Sequence, residues 1–244
     1  MFIGYPRSGH SLIGQLLNAH PEALVAHQFG AAEYLQAGFN RRQIFAMLNR
    51  RDRSFARSNY VQDETNYDYS VPGGSQGLTR RPRVIGDKSG AQLSWAMDRD
   101  PALMEKLHDA LGGYPLKVIN HVRSPYDSIA TDSIREDRTV PHAVVRYRRL
   151  ATAVDKAFKA LAPEEKKIIY HEDFVGDPRA SLSELCSFLD LDASPDYLDS
   201  CAAVVFDSPK KSRHRVEWSK DDIRAVQDLC REFDVFRPYV DDAP

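Results

Sequence analysis

Phe2-Ile3-Gly4-Tyr5-Pro6-Arg7-Ser8-Gly9-His10-Ser11 runs directly into the apolar pattern Leu12, Ile13, Leu16, Leu17. This order reads as a short buried strand, a glycine-bounded loop and an amphipathic helix. A strand entering a helix through such a loop turns several backbone N–H groups and the positive end of the helix dipole toward one small volume. That volume suits phosphate or sulfate.

The loop spells G-x-x-x-x-G-x-S, close to the nucleotide-triphosphate loop G-x-x-x-x-G-K-[ST], with His10 in the lysine position. An imidazole is a poor substitute for a fixed ammonium, whereas Arg7 brings a permanent charge earlier in the loop. The cradle is kept while the lysine of the kinases is absent.

Across 244 residues, 33 Lys+Arg stand against 35 Asp+Glu, a formal charge of −2. No global field points to nucleic acid or an anionic membrane as partner, so any basic site is local. Cys186, Cys201 and Cys230 are odd in number and widely spaced, which argues against a disulfide framework and a zinc site. With no signal-peptide pattern at its start and no run of 18 apolar residues, the chain is expected to be cytoplasmic and without a membrane span.

Further strands are expected at Ala23–Ala26, with His27 at the exit, at Val84–Ser89, at Leu116–Val122, and at Lys167–Asp173. Helices alternate with them: one pattern from Gly30 to about Arg57 with an arginine-rich solvated face, two before Gly112-Gly113, a long one over Val140–Leu161, and one opened by Ser181-Leu182-Ser183-Glu184. The expected fold class is α/β: a single domain over 1–244 with a mostly parallel central sheet flanked by helices. Residues 58–81 lose periodicity and carry Tyr60, Tyr67 and Tyr69, which suits a lid or substrate loop. Arg123-Ser124-Pro125-Tyr126-Asp127 forms a second strand-to-helix anion site, with Ser124 as cap and Thr131 two turns into the helix. Lys210-Lys211-Ser212-Arg213-His214-Arg215, within a basic loop over 208–218, is the densest positive patch and a third candidate anion contact.

Four blocks in order resemble the sulfotransferase family, which uses 3′-phosphoadenosine 5′-phosphosulfate as donor. Tyr5 to Ser11, trailed by Leu17-Asn18-Ala19-His20-Pro21, looks like its P-loop-like 5′-phosphosulfate loop. Val122 to Thr131 looks like its 3′-phosphate motif. His171-Glu172-Asp173, with Asp177-Pro178 behind it, is similar to its Tyr-Glu-Asp segment, and Lys210 to Arg215 with Trp218 stands where the family has a loop closing over the nucleotide.

The resemblance implies donor contacts from Arg7, Ser8, Gly9, His10, Ser11, Arg123, Thr131, Lys211, Ser212 and Arg213, with His171 where a tyrosine often stacks on adenine. It implies catalysis by Arg7, by Lys88 on the bridging oxygen and by His27 as general base, with Glu33 and Asp87 in reserve. No metal is implied, and the acceptor is expected to be a hydroxyl or amine of a small molecule or carbohydrate. A metal-dependent P-loop kinase and a non-catalytic nucleotide-binding protein remain open as alternatives at this stage.

Overall fold

The computed structural model describes residues 1–58, 68 and 70–244. In chain order the elements are β1 (Phe2–Gly4), α1 (His10–Asn18), β2 (Ala23–His27), α2 (Ala31–Gln36), α3 (Arg41–Arg57), β3 (Val84–Lys88), α4 (Ala91–Arg99) and α5 (Leu103–Leu111). Then follow β4 (Val118–Val122), α6 (Pro125–Arg135), α7 (Val140–Ala160), β5 (Lys166–Tyr170), α8 (His171–Gly176), α9 (Pro178–Phe188), α10 (Pro195–Ala202) and α11 (Lys220–Glu232). Strands alternate with helices, as the sequence pattern requires.

Every strand pair among the described residues is parallel. β4 lies between β1 and β5, with Ile3 opposite Asn120 and Asn120 opposite Ile168. β2 pairs with β3, His27 standing opposite Lys88. A single bridge, Ile3 to Gly90, joins the two ribbons, giving the spatial order β2-β3-β1-β4-β5. In such a sheet all strand exits lie along one edge, and ligands bind where the winding direction reverses. Here that point is the exit of β1.

Both faces of the sheet are buried, so its strands read as continuous apolar runs. Along β1, Phe2 packs with Ile13, Leu16, Ile119 and Phe174 on one face, while Ile3 packs with Leu93, Val118, Tyr147 and Phe236 on the other. The alternation follows from the two-residue period of a strand. Helix α7 contributes Val140, Ala143, Val144, Tyr147, Leu150, Ala151 and Val154, the i, i+3, i+4 stripe of a one-sided helix.

Four local expectations change. The helical pattern over Gly30–Arg57 breaks into α2 and α3, because Asn40 and Gln43 form a reciprocal capping box and Gly38 adopts φ +89° before it. The last strand stops at Tyr170, and His171 opens α8. Helix α9 starts at Pro178 with Asp177 accepting from Ala180 N, so Ser181 lies inside its first turn. Within the stretch 58–81, Ser75 N donates to Ala19 O and Thr79 Oγ1 to Ala23 O, so this part packs behind α1 and β2. Tyr60, Tyr67 and Tyr69 lie outside the described residues.

Candidate functional site

Between β1 and α1 the chain turns through Arg7 at φ +63° and Gly9 at φ +95°. A Cβ at Gly9 would lie 2.9 Å from His171 Nδ1 and 3.0 Å from His121 Cε1, so only glycine fits there. No side chain caps the first turn of α1; Leu12 N donates to Gly9 O, and the N–H groups of His10 and Ser11 are left for a ligand. Ser8 is buried, and its hydroxyl is 3.0 Å from His10 Nδ1.

Lys88 reaches this turn from the end of β3. Its side chain is wholly buried, its stem lies against Gly14, and Nζ donates to Ser11 Oγ at 2.9 Å. Burial pulls its pKa down to about 7 against the opposing influence of Asp87. His10 is held well below the ordinary imidazole range, first by burial and then by the cations Lys88 and Arg7 and the neighbouring His27.

The second cradle forms at the exit of β4. Arg123 donates to Arg7 O at 3.2 Å and also to Lys210 O, so one guanidinium spans the 5′ loop, its own strand exit and the basic loop. Thr131 Oγ1 bonds back to Asp127 O at 2.7 Å and lines the same space. His171 is buried beside Gly9, its pKa pushed down to about 4 by burial and then by Arg123, with Asp127 opposing. A cleft of about 1010 Å³ connects these groups, with Arg7, Gly9, His10, Ser11, Arg123, Thr131 and His171 on its lining.

Several expected residues stand elsewhere. His27 is 1% exposed, stacks face to face on Phe55 with ring centroids 4.4 Å apart, and is absent from the lining. A general base must reach the proton that it takes, so this geometry does not suit His27. Asp87 accepts from Gly30 N, Ala31 N and Ser89 Oγ, which commits it to the start of α2, and Glu33 is likewise off the lining. Ser124 precedes α6 without a capping bond from its hydroxyl.

Arg213 is buried and paired with Asp127 at 2.7 Å, with its backbone N also donating to that carboxylate and its guanidinium bonded to Asp242. It braces the loop and does not line the cleft. Lys211 and Ser212 are off the lining too, where Lys210 is the residue of that loop that faces the cleft.

Other residues were not singled out from the sequence. Gln28 lines the cleft at φ +47°, and like Arg7 it is a strained non-glycine residue at a strand exit, the kind of position that marks functional sites. His121, buried in β4, has its ring 5.3 Å from that of His171, and neither of its ring nitrogens has a hydrogen-bond partner among the described residues. Its place two residues before Arg123 was the available signal. Trp95, Arg99, Asp132, Arg135, Glu136 and Arg146 complete the far wall.

The model of the Sulfotransferase family matches residues 1–195. The chain belongs to the sulfotransferase family. It is therefore a transferase of sulfuryl groups, and 3′-phosphoadenosine 5′-phosphosulfate is the usual donor of that family. Family membership also implies a small-molecule acceptor, and among the described residues no helix is long and apolar enough to cross a membrane.

The fold of this sulfotransferase is similar to solved structures. The sulfotransferase domain from the curacin biosynthetic pathway is 16% identical with TM-score 0.60, covering 95% of each chain. That of the Synechococcus PCC 7002 olefin synthase is 17% identical with TM-score 0.55, covering 93% of each. Mouse sulfotransferase SULT7A1, solved with PAP, is 12% identical with TM-score 0.53, covering 99% of this chain and 88% of that one. No curated protein matches the sequence.

Proposed function

We propose that the cleft binds 3′-phosphoadenosine 5′-phosphosulfate across the two cradles and passes its sulfuryl group to a hydroxyl entering from the β3 side. The observation that carries this reading is the Arg123 bond to Arg7 O, which sets two anion sites side by side at adjacent strand exits. A donor charged at both the 3′ and 5′ positions requires two such sites, whereas a nucleoside triphosphate requires one.

The residues present fit the donor. Gly9 leaves a hollow that a Cβ would fill, and the Nε atoms of Arg7 and Arg123 are buried donors without a partner among the described residues. The 5′-phosphosulfate is assigned to Arg7, Gly9, Ser11 and the first turn of α1, the 3′-phosphate to Arg123 and Thr131, and the adenine to the side of His171. Lys210, and not Lys211, Ser212 or Arg213, takes the closing role.

The donor supplies an activated sulfuryl group. Arg7 places positive charge beside the oxygen from which that group departs, as in phosphoryl transfer, and Lys88, fully buried and off the lining, supports it through its bond to Ser11 Oγ. An alcohol is a weak nucleophile at neutral pH and needs a base. His10 is on the lining and takes the hydroxyl proton at Nε2 in the tautomer whose Nδ1–H donates to Ser8 Oγ. The negative charge of the donor offsets burial and the cations Lys88 and Arg7, which otherwise hold this imidazole neutral. The ring lies over Gly90, where a Cβ would come within 2.5 Å of Nε2, so the glycine leaves room for it.

A cytoplasmic location accords with Cys186, Cys201 and Cys230 being buried free thiols. The net charge of −2 gives no support to a nucleic-acid partner. Calorimetric titration with adenosine 3′,5′-bisphosphate, beside ATP with and without magnesium, tests the reading. Tight, metal-independent binding of the bisphosphate with little binding of ATP is the expected result, and a preference for magnesium-ATP overturns it.

A further inference from the structure

The donor, as assigned above, runs from β1 toward β4 and β5, because both cradles and His171 lie on that side. Beyond the donor contacts the lining includes Gln28, Asp68 and Ser89 and a wall built from α4, the end of α6 and one residue of α7. Gln92, Trp95 and Arg99 follow one another along α4 at i, i+3 and i+7, the spacing of neighbours on one helix face. Arg146 of α7 lays its guanidinium over Trp95 at 4.8 Å from the ring centre. Arg149 lies over the same ring at 5.4 Å, so the aromatic surface already carries guanidinium groups, and Arg99 follows Trp95 along the helix.

The charges on this wall do not cancel. Its carboxylates already have guanidinium partners: Glu136 with Arg7 at 2.6 Å, Asp132 with Arg138 at 3.2 Å, and Asp98 beside it with Arg149 at 2.6 Å. Asp68, the remaining acid on the lining, accepts from Ser70 N at 2.8 Å. Arg99 has no ion pair among the described residues, and Arg146 makes a long ion pair of 3.7 Å with Asp132, a carboxylate it shares with Arg138, while its buried Nε lacks a hydrogen-bond partner. Arg135 adds a third positive charge to the lining. Two cations beside an aromatic face, with the nearby acids already engaged, are suited to an oxyanion attached to a flat or apolar body.

We infer that the acceptor carries an oxyanion of its own, a carboxylate, sulfate or phosphate, held by Arg99 and Arg146 while its body lies along the α4 face between Gln92 and Trp95 and its hydroxyl faces the donor. This rests on the sulfotransferase reading for the direction of the donor. Arg99 also sits in the last turn of α4, where a cation is favoured by the helix dipole alone. The test therefore reads the charge of the ligand and not the stability of the protein.

The protein saturated with adenosine 3′,5′-bisphosphate is titrated calorimetrically with hydroxylated probes in matched sets. 4-Hydroxyphenylacetate, its amide and tyramine form one set, and glucuronate, glucose and glucosamine the other, with 4-hydroxyphenyl sulfate and 4-hydroxyphenyl phosphate distinguishing the type of oxyanion. At least one anionic probe is expected to bind tenfold or more tightly than its neutral partner, and the cationic one to bind most weakly. R99Q, an exposed substitution, and R146Q should each reduce that preference threefold or more while leaving bisphosphate affinity in place. Equal binding across a set, a preference for the neutral or cationic member, no binding of any probe, or a preference that survives both substitutions overturns the inference. Failure of the bisphosphate itself to bind would instead overturn the donor assignment.

Discussion

The stem of Lys88 crosses helix α1 at Gly14 so closely that a Cβ on that glycine would lie 2.6 Å from Lys88 Cγ. The glycine is what allows a buried ammonium at the end of β3 to reach Ser11 in the first turn of α1. Gly14→Ala should therefore act through Lys88. It should lower stability by about 1–3 kcal/mol, the usual cost of overpacking, and reduce turnover at least tenfold with a smaller change in bisphosphate affinity. Thermal melts beside steady-state kinetics would check this, and wild-type turnover in a correctly folded variant would remove Lys88 from the reaction.

Arg123→Ala should weaken adenosine 3′,5′-bisphosphate binding by about 1.5–3 kcal/mol, the range of a charge-assisted hydrogen bond. Arg123→Lys should recover only part of it, since a lysine cannot span Arg7 O, Lys210 O and a phosphate with one planar fork. Calorimetry on both variants is the measurement.

The two histidines near the 5′ loop should separate cleanly. His10→Asn is expected to lose roughly 10²- to 10⁴-fold in turnover, the scale of general base catalysis, while bisphosphate affinity falls much less. His27→Ala should chiefly lower the melting temperature, because its ring is buried against Phe55. The opposite pattern in kcat would return the base role to His27.

Acid should destabilise the fold through His171. Its folded pKa of about 4 lies below the 6.5 of the free side chain, so between these values the unfolded chain binds more protons than the folded one. Stability then rises as pH climbs from about 4 to 6.5 and is lost on the way down. The shift corresponds to roughly 3 kcal/mol. His171→Gln should flatten the slope of unfolding free energy against pH across that window, as measured by urea denaturation at several pH values. Lys88 has the same sign at higher pH: its contribution makes stability increase from about pH 7 toward 10.5.

Arg213→Ala should behave as a structural lesion. Removing one partner of a buried ion pair leaves Asp127 uncompensated, at a cost of about 3–5 kcal/mol, whereas Lys211→Ala should leave both melting temperature and bisphosphate affinity nearly unchanged. Equal losses of affinity from the two variants would restore the basic hexapeptide as a clamp acting through its side chains.

The parallel sheet and its strand exits were legible because apolar runs, glycine loops and caps are local signals, and Arg7, Arg123 and Thr131 lie within them. Arg213 was not, because a guanidinium paired with Asp127 looks the same in sequence as one that holds a phosphate. His27 stands at a strand exit as expected, but the aromatic lid over it comes from Phe55 on α3, a tertiary contact that strand spacing does not report. The wall formed by Trp95, Arg99 and Arg146 was invisible for the same reason. Its residues belong to two helices that meet only after the chain has folded.

The bridge from Ile3 to Gly90 is the only strand-to-strand link among the described residues between the ribbon that holds the 5′ loop and the ribbon from which α4 departs. Side chains close the rest of that seam, with Ser94 of α4 accepting from Gly4 N and donating to Gly4 O. Substitutions at the exposed positions Gln92 and Arg99 leave those bonds in place, so the far wall of the cleft can vary without disturbing the turn that grips the donor.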